Sequence, residues 1–412
     1  MKFNILKLFL ESNERIDENG NKIRTNRPPN TAFRQQRLKS WQPILSPQSM
    51  IPFLAIIAMI FAPIGVAFLV SALNVQNFVI DYSHCDTLAS TDDFQVISSK
   101  LYHYNFKQKN VIQPSWKLQS TDDNSKTCQI KFSVPNNIKS PLYVYYQLTN
   151  FYQNHRKYVQ SYDADQLKGV AVSLDELDDN CKPLKSASDT EDKGDEKIIY
   201  PCGLIANSLF NDTFSTVFEN VDDDGNNNST KNYNLTNKNI AWKSDQKLFK
   251  KTQYNASQII PPPNWAVKYP DGYVEGNIPD ISTWEEFQVW MRTAGLPTFY
   301  KLVMKNEKDT LHKGVYTIDI GLNYPVEIFG GKKSLVITTN SIIGGRNLSL
   351  GIVYIIVAGV CIIFGIIFLL KVIIKPRKLG DHSYLNFDDG LENSSEQADK
   401  LNQQLTPLRE IM

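Results

Sequence analysis

Charge disappears from this sequence twice. From Trp41 to Ile80 there is no Asp, Glu, Lys or Arg, and the centre, Ile51 to about Leu73, is almost wholly apolar. A second run of the same kind extends from Leu348 to Leu370. About 20 apolar residues, rising roughly 1.5 Å each, cross the hydrocarbon core of a bilayer. Both runs therefore predict spanning helices. They divide the chain into a first tail (1–48), a first helix (49–75), a long middle (76–346), a second helix (347–374) and a last tail (375–412).

Between the helices the pattern changes to period two. Ile130, Phe132 and Val134 alternate with Gln129, Lys131 and Ser133. Leu142, Val144, Tyr146 and Leu148 alternate with Tyr143, Tyr145 and Gln147, and Tyr316, Ile318, Ile320 and Leu322 with Val315, Thr317 and Asp319. Leu335 to Thr339 is rich in β-branched residues. Such alternation predicts half-buried antiparallel strands. The expected fold is a membrane protein with two transmembrane α-helices and a large, mainly antiparallel β, sandwich-like ectodomain with short helices. The clearest of these short helices follows Ser282, where Ser282 and Glu285, or Thr283 and Glu286, can form a capping box. Trp284, Phe287 and Met291 then share a face, and Gly295 and Pro297 end the helix. Residues 185–197 and 222–239 are polar and read as surface loops.

Ahead of the first spanning helix, Asn30 or Thr31 can cap a short helix. In it Phe33, Leu38 and Trp41 face lipid, while Arg34, Arg37 and Lys39 face headgroups or a partner. Met1 to Leu10 resembles a signal peptide, but Lys7 interrupts its apolar run. It is expected to remain in the mature tail, with the first spanning helix as an uncleaved anchor. Pro63 and Gly65 interrupt that helix and predict a kink or close approach of another helix. Neither spanning run holds an ionisable side chain at bilayer depth, where transport paths place them. The chain alone is not expected to conduct anything.

Charge sets the topology. Arg27, Arg34, Arg37 and Lys39 precede the first helix, and Lys371, Lys375, Arg377 and Lys378 follow the second. Cations accumulate on the cytosolic side, which places both tails there and the middle outside. Four of the five cysteines, Cys85, Cys128, Cys181 and Cys202, lie in the middle, where disulfides form. Three connectivities exist, and sequential pairing, Cys85–Cys128 and Cys181–Cys202, is the expected one. Cys361 reads as a small apolar packing residue within the second helix. Asn-x-Ser/Thr acceptor sites occur at Asn211, Asn227, Asn228, Asn234 and Asn255. Asn347 abuts the membrane and Asn393 lies in the cytosolic tail.

The net charge of +1 offers no basic surplus for nucleic acid. The five histidines lack close helical spacing and the external cysteines lack a Cys-x-x-Cys pair, so no metal or other cofactor is expected. Asp222-Asp223-Asp224-Gly225 lacks the Gly and Glu positions of a calcium loop. There is no nucleophile elbow and no phosphate loop. Asp319 and Glu327 are the nearest approach to a carboxylate pair, and both are expected at the surface. The chain reads as a non-enzyme.

Several longer stretches carry more information. They are Asn30 to Leu38 with Trp41 and Pro43; Pro63-Ile64-Gly65; Ile80-Asp81-Tyr82; Tyr143 to Arg156; Pro201 to Ser208; Ile240 to Asp245; and Gly344 to Asn347 with Leu350-Gly351. In these the chain resembles, from Asn30 to about Ile374, the ligand-effect-modulator / cell-division-control family of accessory β-subunits of type IV P-type ATPases, the phospholipid flippases. The resemblance implies a non-catalytic subunit in a heterodimer with the ATPase, in contact with membrane lipids. It implies a need for this subunit in folding, endoplasmic-reticulum exit and activity of the catalytic chain in aminophospholipid translocation. It also implies residence in endoplasmic reticulum, Golgi or endosomes and plasma membrane. Carried over, Phe33, Arg34, Gln35, Gln36, Leu38, Trp41 and Pro43 contact the ATPase at the cytosolic face, Pro63 and Gly65 lie near the helix–helix interface, and 145–156 belong to the ectodomain core or its docking surface. Some members have further cysteines near the first, so a bridge present in relatives is expected to be absent. The alternative is a stand-alone two-pass adhesion or receptor glycoprotein, which leaves 33–41 unexplained.

Overall fold

The computed structural model describes residues 32–38, 46–108, 111–120, 126–187, 197–221, 231–341 and 344–375. Two units are formed, one by 1–63 with 354–412 and the other by 64–353.

The apolar runs are helices α1, Pro47–Asn74, and, at the far end, Leu348–Ile374. At 28 and 27 residues each is about 40 Å long, enough to span a bilayer. Most of their side chains are exposed, as lipid-facing helices require. Helix α1 starts two residues before the expected boundary because Ser46 caps it: the Ser49 N–H donates to Ser46 Oγ at 3.3 Å, and Pro47 takes the first helical position. The last helix is capped by Asn347, whose Oδ1 accepts from the Ser349 N–H at 3.0 Å.

Among the described residues, nine strands of four or more residues build the domain between them: β1 Asn77–Asp81, β2 Tyr102–Asn105, β3 Ser115–Ser120, β4 Lys126–Val134, β5 Leu142–Thr149, β6 Val217–Val221, β7 Phe299–Asn306, β8 Gly314–Gly321 and β9 Lys332–Thr339. One sheet has the order β7-β5-β9-β1-β2, antiparallel throughout. The other is built on β6-β8-β4-β3, extended by the two-residue strands Tyr233–Asn234, Gln95–Val96 and Thr213–Phe214. The period-two stretches form β4, β5 and β8, and their apolar sets point inward: Ile130, Phe132, Val144, Leu148, Tyr316 and Ile318 are all buried. Strand β9 is buried along six successive residues, as a central strand is. The two inner faces make one core around Phe78, Phe132, Phe218 and Tyr316.

A second core contains little regular structure. Its centre includes Tyr200, Trp265, Ile281 and Phe287, gathered by short turns, one two-residue parallel bridge (198–199 with 259–260) and helix α2, Glu285–Met291. Helix α2 corrects the expected capping. Its N-cap is Trp284 without a side-chain bond, and Ser282 instead bonds Asp280, whose Oδ1 accepts from the Ser282 N–H and hydroxyl. Glu285 turns outward from the helix to receive the Asn239, Ile240 and Ala241 N–H groups. The helix ends at Met291, ahead of Gly295, because Arg292 is already extended. Trp284 stacks on Phe287, and with Met291 packs into this core.

The two polar stretches also need correction where they are described. Lys185, Ser186 and Ala187 are buried, paired through the chain with Lys197 and Ile199. Tyr233–Asn234 pairs with β6 and Leu235 is buried. Residues 188–196 and 222–230 lie outside the described residues.

Candidate partner surfaces and modification sites

The sulfurs of Cys85 and Cys128 are bonded, as are those of Cys181 and Cys202. The first pair lies in the sheet core and the second in the irregular one. All four residues are buried. Of the acceptor asparagines, Asn211, Asn234 and Asn255 are exposed, while Asn227 and Asn228 lie outside the described residues. Asn255 opens a turn of 3₁₀-helix and shares a capping box with Gln258.

On the first tail, Ala32 to Leu38 form a turn with the hydrogen bonds of a Schellman motif, and the expected cap, Asn30 or Thr31, lies outside the described residues. The Arg37 N–H donates to Ala32 O at 2.7 Å and the Gln36 N–H to Phe33 O at 3.1 Å, with Gln36 at φ +53°. Phe33 and Leu38 are half exposed, and Arg34, Gln35 and Gln36 stand with them at the surface. Asn30, Thr31, Trp41 and Pro43 fall outside the described residues.

Pro63 and Gly65 part company. Pro63 is exposed on α1, whereas Gly65 is buried. A Cβ on Gly351 would meet Leu69 N at 2.8 Å and Gly65 O at 3.1 Å. Gly65 thus serves a backbone-to-backbone crossing with the chain's own last helix, which takes the label α3. Further along, Phe61 and Tyr354 meet edge to face at 5.2 Å.

Besides Lys185, sequence patterning missed two further buried cations, Lys333 and Lys301. Lys333 is almost fully buried and pairs with the buried Asp212 at 2.8 Å. Asp212 is saturated: Oδ1 accepts from the Asn323 and Tyr324 N–H groups, and Oδ2 accepts from the Tyr82 hydroxyl and Lys333. Lys333 also donates to Tyr324 O. Burial, with the Asp212 carboxylate next to it, holds the Tyr82 phenol well above the usual tyrosine range. Lys301 donates to the carbonyls of Val289, Trp290 and Arg292 at the end of α2. Burial, reinforced by Arg292, draws its pKa down to about 7. A signal was present: Lys333 shares its strand face with Leu335 and Ile337, and Lys301 shares its face with Phe299 and Val303. Every polar atom of the Asp212–Lys333 pair serves a fixed group of the protein, which is the arrangement of a structural staple. Asp319 accepts from Gln129 Nε2, and Glu327 faces His84 at 3.8 Å, so each of these carboxylates has a separate neighbour. Among the described residues no group of three potential metal ligands occurs.

Two apolar helices carrying a disulfide-linked antiparallel β domain define a two-pass membrane protein. Residues 68–378 match the LEM3 (ligand-effect modulator 3) family / CDC50 family, to which this chain belongs. The chain is 52% identical over 400 residues to the phospholipid-transporting ATPase accessory subunit CRF1 of Saccharomyces cerevisiae, covering 97% of this chain and 98% of that protein. It is 41% identical over 381 residues to the phospholipid-transporting ATPase accessory subunit CDC50 of Chaetomium thermophilum, covering 88% and 91%. It is 35% identical over 364 residues to cell cycle control protein 50A of Mus musculus, covering 85% and 90%.

Proposed function

We propose that this chain is the non-catalytic accessory subunit of a type IV P-type ATPase that moves phospholipids. The observation that carries the reading is similarity along the whole chain to proteins named as accessory subunits of phospholipid-transporting ATPases. The physical features agree with a partner's role. The helices lack ionisable groups at depth, so translocation belongs to the companion chain. Both tails are cytosolic, and the middle domain is glycosylated and disulfide-linked in the secretory route, from endoplasmic reticulum through Golgi or endosomes to the plasma membrane. The Ala32–Leu38 turn, with Trp41 and Pro43 beyond it, meets the ATPase on the cytosolic side. Pro63 presents its exposed flank of α1 to lipid or to the ATPase.

Affinity capture of the full chain from native membranes, followed by mass spectrometry, tests this. A type IV ATPase is expected in near-stoichiometric yield, and its absence overturns the reading. An Arg34→Ala protein should recover less ATPase while the ectodomain keeps its thermal transition. Unchanged recovery would remove Arg34 from the contact.

A further inference from the structure

Asn211 lies on the wall of a cavity of about 520 Å³ between the sheet core and the irregular core. Phe214 and Met304 line it from the sheets, and Trp284 and Val267 from the other side. Val267 is 87% exposed, and Phe214 and Trp284 are only half buried. Cavities of this size accommodate small organic ligands. Its polar groups suit hydroxyl and acetamido partners: Asn264, Glu286, and Lys268, whose ammonium lies 3.9 Å from the Trp284 ring centre. Asn211 itself is exposed. Its backbone oxygen accepts from Asn323 Nδ2, but its side-chain amide bonds to no described residue. Asn211-Asp212-Thr213 is an acceptor tripeptide, anchored by the buried Asp212.

We propose that this cavity seats the first two N-acetylglucosamine units of a glycan carried on Asn211 Nδ2. The apolar ring faces of the sugars cover Phe214, Val267 and the edge of Trp284, while hydroxyl and acetamido groups bond Asn264, Lys268 and Glu286. Covalent attachment at the wall raises the effective concentration, so individually weak contacts hold the sugar in place. The seated sugar bridges the two cores. Asn234 and Asn255 do not line this cavity, and their glycans extend into solvent. The proposal rests on glycosylation of Asn211, and not on the ATPase partnership.

The test uses the full chain purified in detergent from a secretion-competent host, with sugar occupancy mapped by peptide mass spectrometry. Under native conditions an N-glycanase should release the Asn211 glycan about tenfold more slowly than the Asn255 glycan, the ratio given by a seating free energy of about 1.4 kcal/mol. Denaturation should equalise the rates. Val267→Arg, at an exposed position, should crowd the cavity and speed release at Asn211 alone. Equal native rates at the two sites overturn the seat. So does slow release that survives Val267→Arg, because the cavity is then not the cause. Asn211 found without sugar overturns the glycosylation reading as well. Asn211→Gln is the weaker variant, since it removes the sugar before folding.

Discussion

The two cores of the middle domain are both rich in buried aromatic side chains, but they satisfy their backbones differently. In the sheet core the N–H and C=O groups are paired along ladders, such as the register of β8 on β4 from Gly314↔Val134 to Gly321↔Thr127. In the second core, side chains do the same work. Gln166 donates to Ile199 O and accepts from the Cys202 N–H. Asp163 accepts from the Gln166 and Asp178 N–H groups. The Tyr254 and Tyr273 hydroxyls donate to Val172 O and Tyr200 O, and the Trp265 indole donates to Ala206 O. Irregular chain can be buried only when each backbone group finds a partner. Polar side chains are therefore as much a part of the second core as its aromatic rings.

The largest effect should come from breaking the buried Asp212–Lys333 staple in the sheet core. Asp212→Asn strands a buried ammonium and is expected to cost about 3–5 kcal/mol, while Asp212→Asn with Lys333→Met should recover part of it. Chemical denaturation of the purified chain measures both, and a single substitution as mild as a surface change would show that the pair is dispensable. Next come the disulfides. Replacing Cys181 and Cys202 by Ser should cost about 2–4 kcal/mol, as should replacing Cys85 and Cys128. Hydrogen exchange separates them: loss of Cys181–Cys202 should open 160–187, 197–210 and 249–290 while β4, β5 and β9 stay protected. Simultaneous opening of both regions would break the comparison.

Gln166→Ala leaves a buried carbonyl and a buried N–H without partners, for about 2–3 kcal/mol. A cost below about 0.5 kcal/mol, the usual range of surface substitutions, would show that side-chain staples do not hold the second core. A separate effect, read by pH and not by substitution, is in alkali. Burial raises the phenols of both cores, Tyr158 to about 12 and Tyr82, Tyr146, Tyr200, Tyr254 and Tyr273 also upward. Unfolded tyrosines titrate near 10, so the unfolded chain loses these protons first. Stability should hold below about pH 10 and fall as pH rises through about 12. Thermal melts with phenolate absorbance measure this, and a transition independent of pH up to about 11 would contradict it.

Legibility followed the same division. Both spanning helices and strands β4, β5, β8 and β9 were readable because one face of each is uniformly apolar or the whole run is. β7 was not, since Lys301 and Lys305 interrupt its pattern, and Lys301 is nonetheless buried. Long amphipathic stems allow that, because an ammonium buried at a helix end can donate to free carbonyls. The second core has no period to read. Its turns depend on bonds between residues far apart in sequence, such as Trp265 to Ala206 and Gln166 to Ile199. Nor could Gly65 be assigned to its own chain's helix pair before the Gly351 crossing was seen.

That crossing has a mechanical consequence. Helix α1 ends at Asn74 and β1 begins at Asn77; β1 pairs directly with β9, which leads back to α3. Gln76 and Thr339 are tied by hydrogen bonds in both directions, and Asn105 Nδ2 donates to Val75 O at 2.7 Å. Strands β1 and β9, which adjoin α1 and α3 along the chain, thus lie side by side in one sheet. Gly65 and Gly351 belong to the same unit as that sheet, so a bulkier residue at either glycine is expected to be felt at the Gln76–Thr339 tie as well.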